Sequence, residues 1–206
     1  MRTRPSSKAL ALLVFSEVGF HAFDPEADFD VRFYLERCPE EDSVRAMSYD
    51  LLRRAYRLAG RESPDFPTLP FAKVPRRPYN QAMVRAAEDL FPDSTLAAGL
   101  SELGRGMYPH FASTMIGKAI FSIAGKDLPT IGRLAPRAYA VSNERGTVEA
   151  VHTRAGLVHA RYIDVWDPIP FTCGIWLGGL ELCSIPAESL EIDIRGPVDY
   201  DIRAVY

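Results

Sequence analysis

Cysteine is scarce in this chain. Only Cys38, Cys173 and Cys183 occur among 206 residues, and no two share the CxxC spacing of a metal or redox motif. An odd, widely spaced set suits a reducing compartment, with buried thiols acting as small apolar side chains. Histidine is equally sparse. His21, His110, His152 and His159 form no HxxxH or HExxH pair, so the helix-borne zinc pattern is excluded. A basic surplus is lacking too: the formal net charge is −3, which argues against a broad nucleic-acid footprint. No apolar run approaches the eighteen or so residues that span a bilayer. The run Ala9 to Phe15, behind Arg2, Arg4 and Lys8, is followed by Ser16-Glu17-Val18-Gly19 rather than by a small-x-small cleavage site. It reads as a basic tail leading into a first strand. The expectation is a cytoplasmic protein with neither a membrane nor a nucleic acid as partner.

Catalytic patterns are missing as well. No G-x-S-x-G elbow occurs, and no cysteine stands in a defensible relation to a histidine. The glycines of Gly99-Leu100-Ser101-Glu102-Leu103-Gly104-Arg105-Gly106 match neither the phosphate loop nor the dinucleotide fingerprint, because a helical pattern runs through them. The acid pairs Glu40-Glu41 and Asp28-Asp30 lie on polar segments. The sequence therefore names no catalytic residue, no metal ligand and no cofactor.

What is present is an ordinary globular balance, 47% hydrophobic and 25% charged, over a length that suits one domain. Residues 1–78 read as a strand, helices and a connector, 79–143 as helical, and 144–206 as sheet-forming. A strand falls within Leu12 to Phe23, and Asp24-Pro25-Glu26 has the chemistry of a helix start, continuing through Phe29, Phe33 and Tyr34. Ser43 opens a second helix, with Met47, Leu51, Leu52, Ala55 and Leu58 on one face and Gly60 as its stop. From Arg61 to Pro78 five prolines impose an extended connector, and its basic group Lys73, Arg76 and Arg77 reads as solvated. Tyr79 to Phe91 is helical, and Asp93 or Ser94 caps the next helix.

Phe111 to Ala124 is apolar nearly all round, as a buried helix is, and Gly117 is expected at a close contact with another element. Asp127 and Pro129 begin a short helix toward Tyr139. Beyond Asn143 the period falls to two: a hairpin turning at Arg154-Ala155-Gly156, an apolar helix Pro168 to Cys183 with a glycine face, then two alternating strands about Gly196-Pro197. His152 and His159 flank the hairpin; two histidines without a third ligand read as rim residues. The fold class is α+β, a helical amino-terminal portion followed by a small antiparallel sheet in the order strand, strand, helix, strand, strand. The two apolar helices read first as tight helix-on-sheet packing, and second as the walls of a greasy cavity. Its candidate contacts are Tyr108, His110, Met115, Lys118, Phe121 and Gly178.

Cys38-Pro39-Glu40-Glu41-Asp42-Ser43-Val44-Arg45-Ala46-Met47 and Tyr108-Pro109-His110-Phe111-Ala112-Ser113-Thr114-Met115-Ile116-Gly117-Lys118 resemble the DUF2378 family, as do Ala135-Pro136-Arg137-Ala138-Tyr139 and Gly178-Gly179-Leu180-Glu181-Leu182-Cys183. That family comprises proteins of similar length with many myxobacterial paralogues, and it brings no established activity. The element order also resembles the haem-NO-binding and V4R ligand-sensing domains. That resemblance implies a proximal histidine near Arg133 to Tyr139, where this chain has none. It implies a Tyr-x-Ser-x-Arg propionate clamp where this chain has Tyr162-Ile163-Asp164-Val165-Trp166. The resulting expectation is a non-enzymatic sensor or regulatory domain binding a small apolar ligand. The alternative is an interaction module with a filled core, acting through a protein partner or a homo-oligomer.

Overall fold

The computed structural model describes residues 12–16, 19–23, 29–186 and 188–206. The basic tail and the helix start at Asp24-Pro25-Glu26 lie outside the described residues. Period-two patterning in the carboxy-terminal third becomes four strands: β5 (Thr147–Arg154), β6 (Leu157–Ile163), β7 (Ser189–Gly196) and β8 (Asp199–Val205). They pair antiparallel in the order β5-β6-β8-β7. A hairpin of β1 (Leu12–Ser16) and β2 (Gly19–Phe23) extends this to six strands, and β1 runs parallel to β7. The parallel pairing adds to the antiparallel sheet expected from the alternation. It joins strands far apart in the chain, a pairing that local patterning does not record.

One face of the sheet is core. Val158, Ala160, Leu190, Ile192, Tyr200, Ile202 and Ala204 are all buried there. The opposite face is charged, and its centre is Asp201, which is buried and accepts from Arg161 (3.3 Å) and Arg195 (2.9 Å). His159 stands beside it, Nε2 at 3.2 Å from Asp201 Oδ2 yet outside hydrogen-bond geometry. Its cross-strand partner is His152, ring centroids 5.8 Å apart.

Burial, the largest influence, holds the His159 imidazole below its usual 6.5; Asp201 opposes this, and Arg203 and His152 add to it. Burial likewise lowers His110. A histidine depressed in the folded state contributes stability that is present above the unfolded value and is lost as pH falls through the folded one. Unfolding free energy is therefore expected to decline from pH 7 to pH 5, and the decline to be shallower in His159→Gln. Parallel profiles for the two proteins in urea titrations would remove this assignment.

Against the core face lies α8 (Ile169–Cys183). Two hydrogen bonds tie it to the sheet: Tyr200 O–H donates to Thr172 Oγ1 (3.0 Å) and Trp176 Nε1–H to Tyr162 Oη (2.8 Å). The helix is apolar all round because a core lies on both sides of it. Cys173, Leu180 and Cys183 pack with the sheet, while Phe171 packs with Leu52, Met83, Leu100 and Leu103 in a second cluster. That second cluster is built by α2 (Tyr49–Leu58), α3 (Arg76–Leu90) and α4 (Leu96–Arg105).

The glycine face of α8 meets α4 rather than the sheet. A Cβ at Gly174 would lie 1.9 Å from the Ser101 carbonyl oxygen, and one at Gly178 would lie 2.3 Å from that of Arg105. Reciprocally, a Cβ at Gly104 of α4 would lie 2.0 Å from the Phe171 carbonyl oxygen. Backbone packs on backbone, so the expected helix-on-sheet role of these glycines is corrected to a helix-on-helix one.

Several boundaries also differ from the sequence reading. The first described helix, α1 (Val31–Glu36), is capped by Asp30, whose carboxylate accepts from Arg32 N at 3.0 Å. Ser43 opens a short strand, β3 (Ser43–Arg45), not a helix; it pairs with β4 (Lys73–Pro75), which ends the proline-rich connector early. A single 3-10 turn, Ala46–Ser48, then leads into α2. The cap of α4 is Thr95, not Asp93 or Ser94.

The apolar run from Phe111 is not one buried helix. It breaks at Thr114 into α5 (Met107–Ser113) and α6 (Met115–Ala124), because Thr114 turns its hydroxyl to cap Gly117 N (3.0 Å). Gly117 faces the corner this creates: its Cβ would stand 1.8 Å from the Phe111 carbonyl oxygen. Met115 is 88% exposed. Asp127 caps α7 (Leu128–Ser142), which is longer than the short helix expected. Among the described residues no helix is long and apolar enough to cross a membrane.

Candidate functional site

A cavity of about 170 Å3 lies where α5, α6 and α7 face α8 and the sheet. From α5 come Met107, Tyr108, His110 and Phe111, from α6 Phe121, and from α7 Ile131, Leu134, Ala135, Ala138 and Tyr139. The sheet contributes Val148 and Tyr162, and α8 contributes Phe171, Thr172 and Ile175. The break at Thr114 brings Phe111 and Phe121 to the same space from two helices. Drug-sized ligands occupy roughly 300–1,000 Å3, whereas an engineered cavity of about 150 Å3 admits benzene. On that scale this space suits one ring with a short appendage.

One end of the cavity is polar. Asp167, in the link between β6 and α8, reaches it together with Tyr79, Asn143 and Ser142. Behind Asp167 stands Arg76, with a side chain fully excluded from solvent. Its Nη1 donates to Asp167 Oδ1 (2.7 Å), Nη2 to Asn143 Oδ1 (2.8 Å) and Nε to Asp42 Oδ2 (3.1 Å). Asp42 is buried as well, and burial, opposed by Arg76, pushes its carboxyl up. Asn80 adds a bond from Nδ2 to the Trp166 carbonyl (2.9 Å). Within the basic group, Arg76 is thus corrected from a solvated linker residue to a buried brace, while Lys73 is exposed and Arg77 half-buried. Arg77 donates to the Cys38 carbonyl (2.9 Å), and Lys73 pairs with Glu144 (2.9 Å).

Of the six candidate contacts named from sequence, the fold brings Tyr108, His110 and Phe121 to the cavity. It does not bring Met115, which faces solvent, Lys118, which is exposed, or Gly178, which is sealed against the Arg105 backbone. Burial pushes the Tyr108 hydroxyl up to about 12, and His110 below its usual value with Arg54 and Arg57 assisting. Sequence reasoning missed Tyr79, Asn143 and Asp167. The signal for Asp167 was an acid flanked by Val165, Trp166, Pro168 and Ile169, since an acid inside an apolar run is buried only with a partner. Among the described residues no group of histidine, cysteine and acidic side chains is arranged to hold a metal ion.

Residues 41–203 match the model of a family described as a protein of unknown function, DUF2378. The chain belongs to the DUF2378 family. No curated protein matches its sequence. Solved structures similar to this DUF2378 chain are H-NOX domains. A mutant H-NOX from K. algicida, titled as Fe(II) unliganded, is 7% identical, with a TM-score of 0.58 over 78% of this chain and 95% of that one. A mutant H-NOX from T. Tengcongensis is 14% identical, with a TM-score of 0.54 over 85% and 94%. A structure probing haem distortion in the H-NOX family is 15% identical, with a TM-score of 0.55 over 76% and 85%. Identities this low carry the fold and nothing finer. This DUF2378 chain has an H-NOX-like fold.

Where the resemblance to haem-NO-binding domains implies a clamp serine, Asp164 takes part in a salt bridge with Arg145 (2.5 Å) and accepts from Trp166 Nε1 (2.8 Å). Trp166, at the place of the clamp arginine, stacks on Phe33 with ring centroids 5.4 Å apart.

Proposed function

We propose that this protein is a non-enzymatic sensor or regulatory domain whose cavity binds a small, largely apolar ligand other than haem. The observation that carries this reading is the cavity itself, an apolar space with one polar end, set between the helices and the α8–sheet unit. The H-NOX-like fold supports the sensor class by analogy only.

Haem does not fit the residues present. In the segment Arg133 to Tyr139, where an axial histidine would stand, α7 offers the cavity Leu134, Ala135, Ala138 and Tyr139. The Tyr139 hydroxyl is committed to the Arg145 carbonyl (3.0 Å). The clamp positions are engaged in a salt bridge and a ring stack, and a space of about 170 Å3 falls below the range that drug-sized ligands need.

The test is a thermal-shift panel of single-ring and short-chain apolar compounds, with hemin included. A ligand that binds only the folded state raises Tm with concentration as RT ln(1 + [L]/Kd). Wild type is expected to respond to members of the panel. Ala138→Trp, which fills the space from α7, is expected to fold and not respond. Hemin is expected to give no Soret band saturating at one equivalent. If no compound shifts Tm and Ala138→Trp is strongly destabilised, the region is packed core and the interaction-module reading takes over. Leu58, Leu69 and Phe71, all exposed, would then be the first surface to examine.

A further inference from the structure

The chemistry of the cavity end narrows the class of ligand. Among the described residues Asp167 is the only acidic side chain that lines the cavity, and no lysine or arginine lines it. Asp167 receives one hydrogen bond from the described residues, at Oδ1 from Arg76. Its second oxygen has no donor among them. Arg76 is itself shared with Asp42, so two carboxylates stand against one guanidinium and one negative charge is left over.

Seven aromatic side chains line the same space: Tyr79, Tyr108, Phe111, Phe121, Tyr139, Tyr162 and Phe171. Three of them feel Asp167 directly. Burial first, then the Asp167 charge, raises the Tyr79 and Tyr139 hydroxyls, and Asp167 also contributes at Tyr162. Aromatic walls attract cations through the ring quadrupole, most strongly where water is excluded. His110, the other titratable group on the wall besides the tyrosines, is held below its usual value by burial and so does not oppose a cation at neutral pH.

Building on the reading of the cavity as a ligand site, we propose that it selects a small organic ammonium ion. Its apolar body lies among the aromatic side chains, and its N–H groups donate to Asp167. A carboxylate ligand would meet the negative charge that Asp42 and Asp167 leave in excess of Arg76, and find no basic side chain on the lining. Arg54, whose charge acts on His110, is engaged with the Pro109 carbonyl (3.3 Å) and the Ser113 hydroxyl (3.2 Å).

Three probes of nearly one shape isolate the charge: 2-phenylethylammonium, propylbenzene and 3-phenylpropanoate. Calorimetry and thermal shift on the whole chain are expected to show the ammonium ion binding at least about tenfold more tightly than either of the others, as a charge-assisted hydrogen bond to a largely buried carboxylate supplies. Asp167→Asn keeps an acceptor for Arg76 and is expected to abolish the preference while retaining propylbenzene. Should that variant fail to fold, the wild-type series decides alone. Propylbenzene binding as well as the ammonium ion overturns the inference and leaves the cavity as a neutral site. Tightest binding of 3-phenylpropanoate overturns it in favour of an anchor at Arg54 and His110. No response to any of the three, together with an empty broader panel, removes the ligand-site reading itself.

Discussion

Arg76→Met is expected to lower the unfolding free energy by about 3–5 kcal/mol, the usual cost of breaking a buried ion pair from one side. The arginine links three segments that are distant in sequence: Asp42 at the entry to β3, Asn143 at the end of α7, and Asp167 before α8. Methionine fills much of the same volume, so the loss measures charge and hydrogen bonding more than packing. What remains after the change is two buried carboxylates without a counter-ion, one of them already carrying an oxygen, Asp42 Oδ1, with no partner. The natural control removes that charge as well. In the Arg76→Met background, Asp42→Asn with Asp167→Asn is expected to restore a substantial part of the loss, because an uncharged cluster has less to desolvate. Urea midpoints at constant m-value read both effects. A loss below about 1 kcal/mol for Arg76→Met would mean that the cluster is solvated and that Arg76 is no brace.

Gly174→Ala should be among the most damaging single methyl additions, because it forces apart two packed helices. Its Cβ would stand 1.9 Å from a carbonyl oxygen of α4, and that oxygen belongs to backbone, which cannot swing aside. The two helices must separate, or the new side chain must distort α8. Overpacking typically costs about 1–3 kcal/mol and occasionally more. A clash with main chain belongs at or above the top of that range, despite a helix-propensity gain of about 1 kcal/mol for alanine over glycine. Gly179→Ala is the matched comparison on the same helix. Its Cβ would lie 2.9 Å from the ring of Tyr108, a side chain with room to adjust. That variant should stay within about 1 kcal/mol of wild type. Equal melting of the two alanine variants would show that α4 and α8 are not in backbone contact.

These two features also mark where sequence patterning reaches and where it stops. The carboxy-terminal strands were legible because Leu190, Ile192, Tyr200 and Ile202 alternate with polar neighbours, and a half-buried strand imposes that period. The glycine face of α8 was legible as a face, but its partner was not. A close approach can be made to a sheet or to a helix, and only the tertiary arrangement chooses α4. The break at Thr114 was hidden because the residues on both sides are apolar. The evidence for it was a single hydroxyl able to cap the next helix. Arg76 was misread because proline-rich flanks and two neighbouring basic residues describe a solvated linker equally well. Its burial depends on acids 34 and 91 residues away. The cavity shares that property, since Tyr79, Tyr108 and the Tyr162–Asp167 stretch are far apart in the chain and meet only in the fold.

The buried thiols have a practical consequence for studying this protein. Cys38, Cys173 and Cys183 are all shielded, and burial, the largest influence in each case, pushes their thiol pKa up, to about 11 at Cys38. Alkylating reagents attack the thiolate, so native cysteines of this kind react slowly at neutral pH. A cysteine placed at position 115, on the solvent side of the α5–α6 corner, would stand next to the cavity-lining Thr114 and carry a fluorophore or spin label. Occupancy of the cavity could then be followed optically in a protein that keeps every one of its own cysteines.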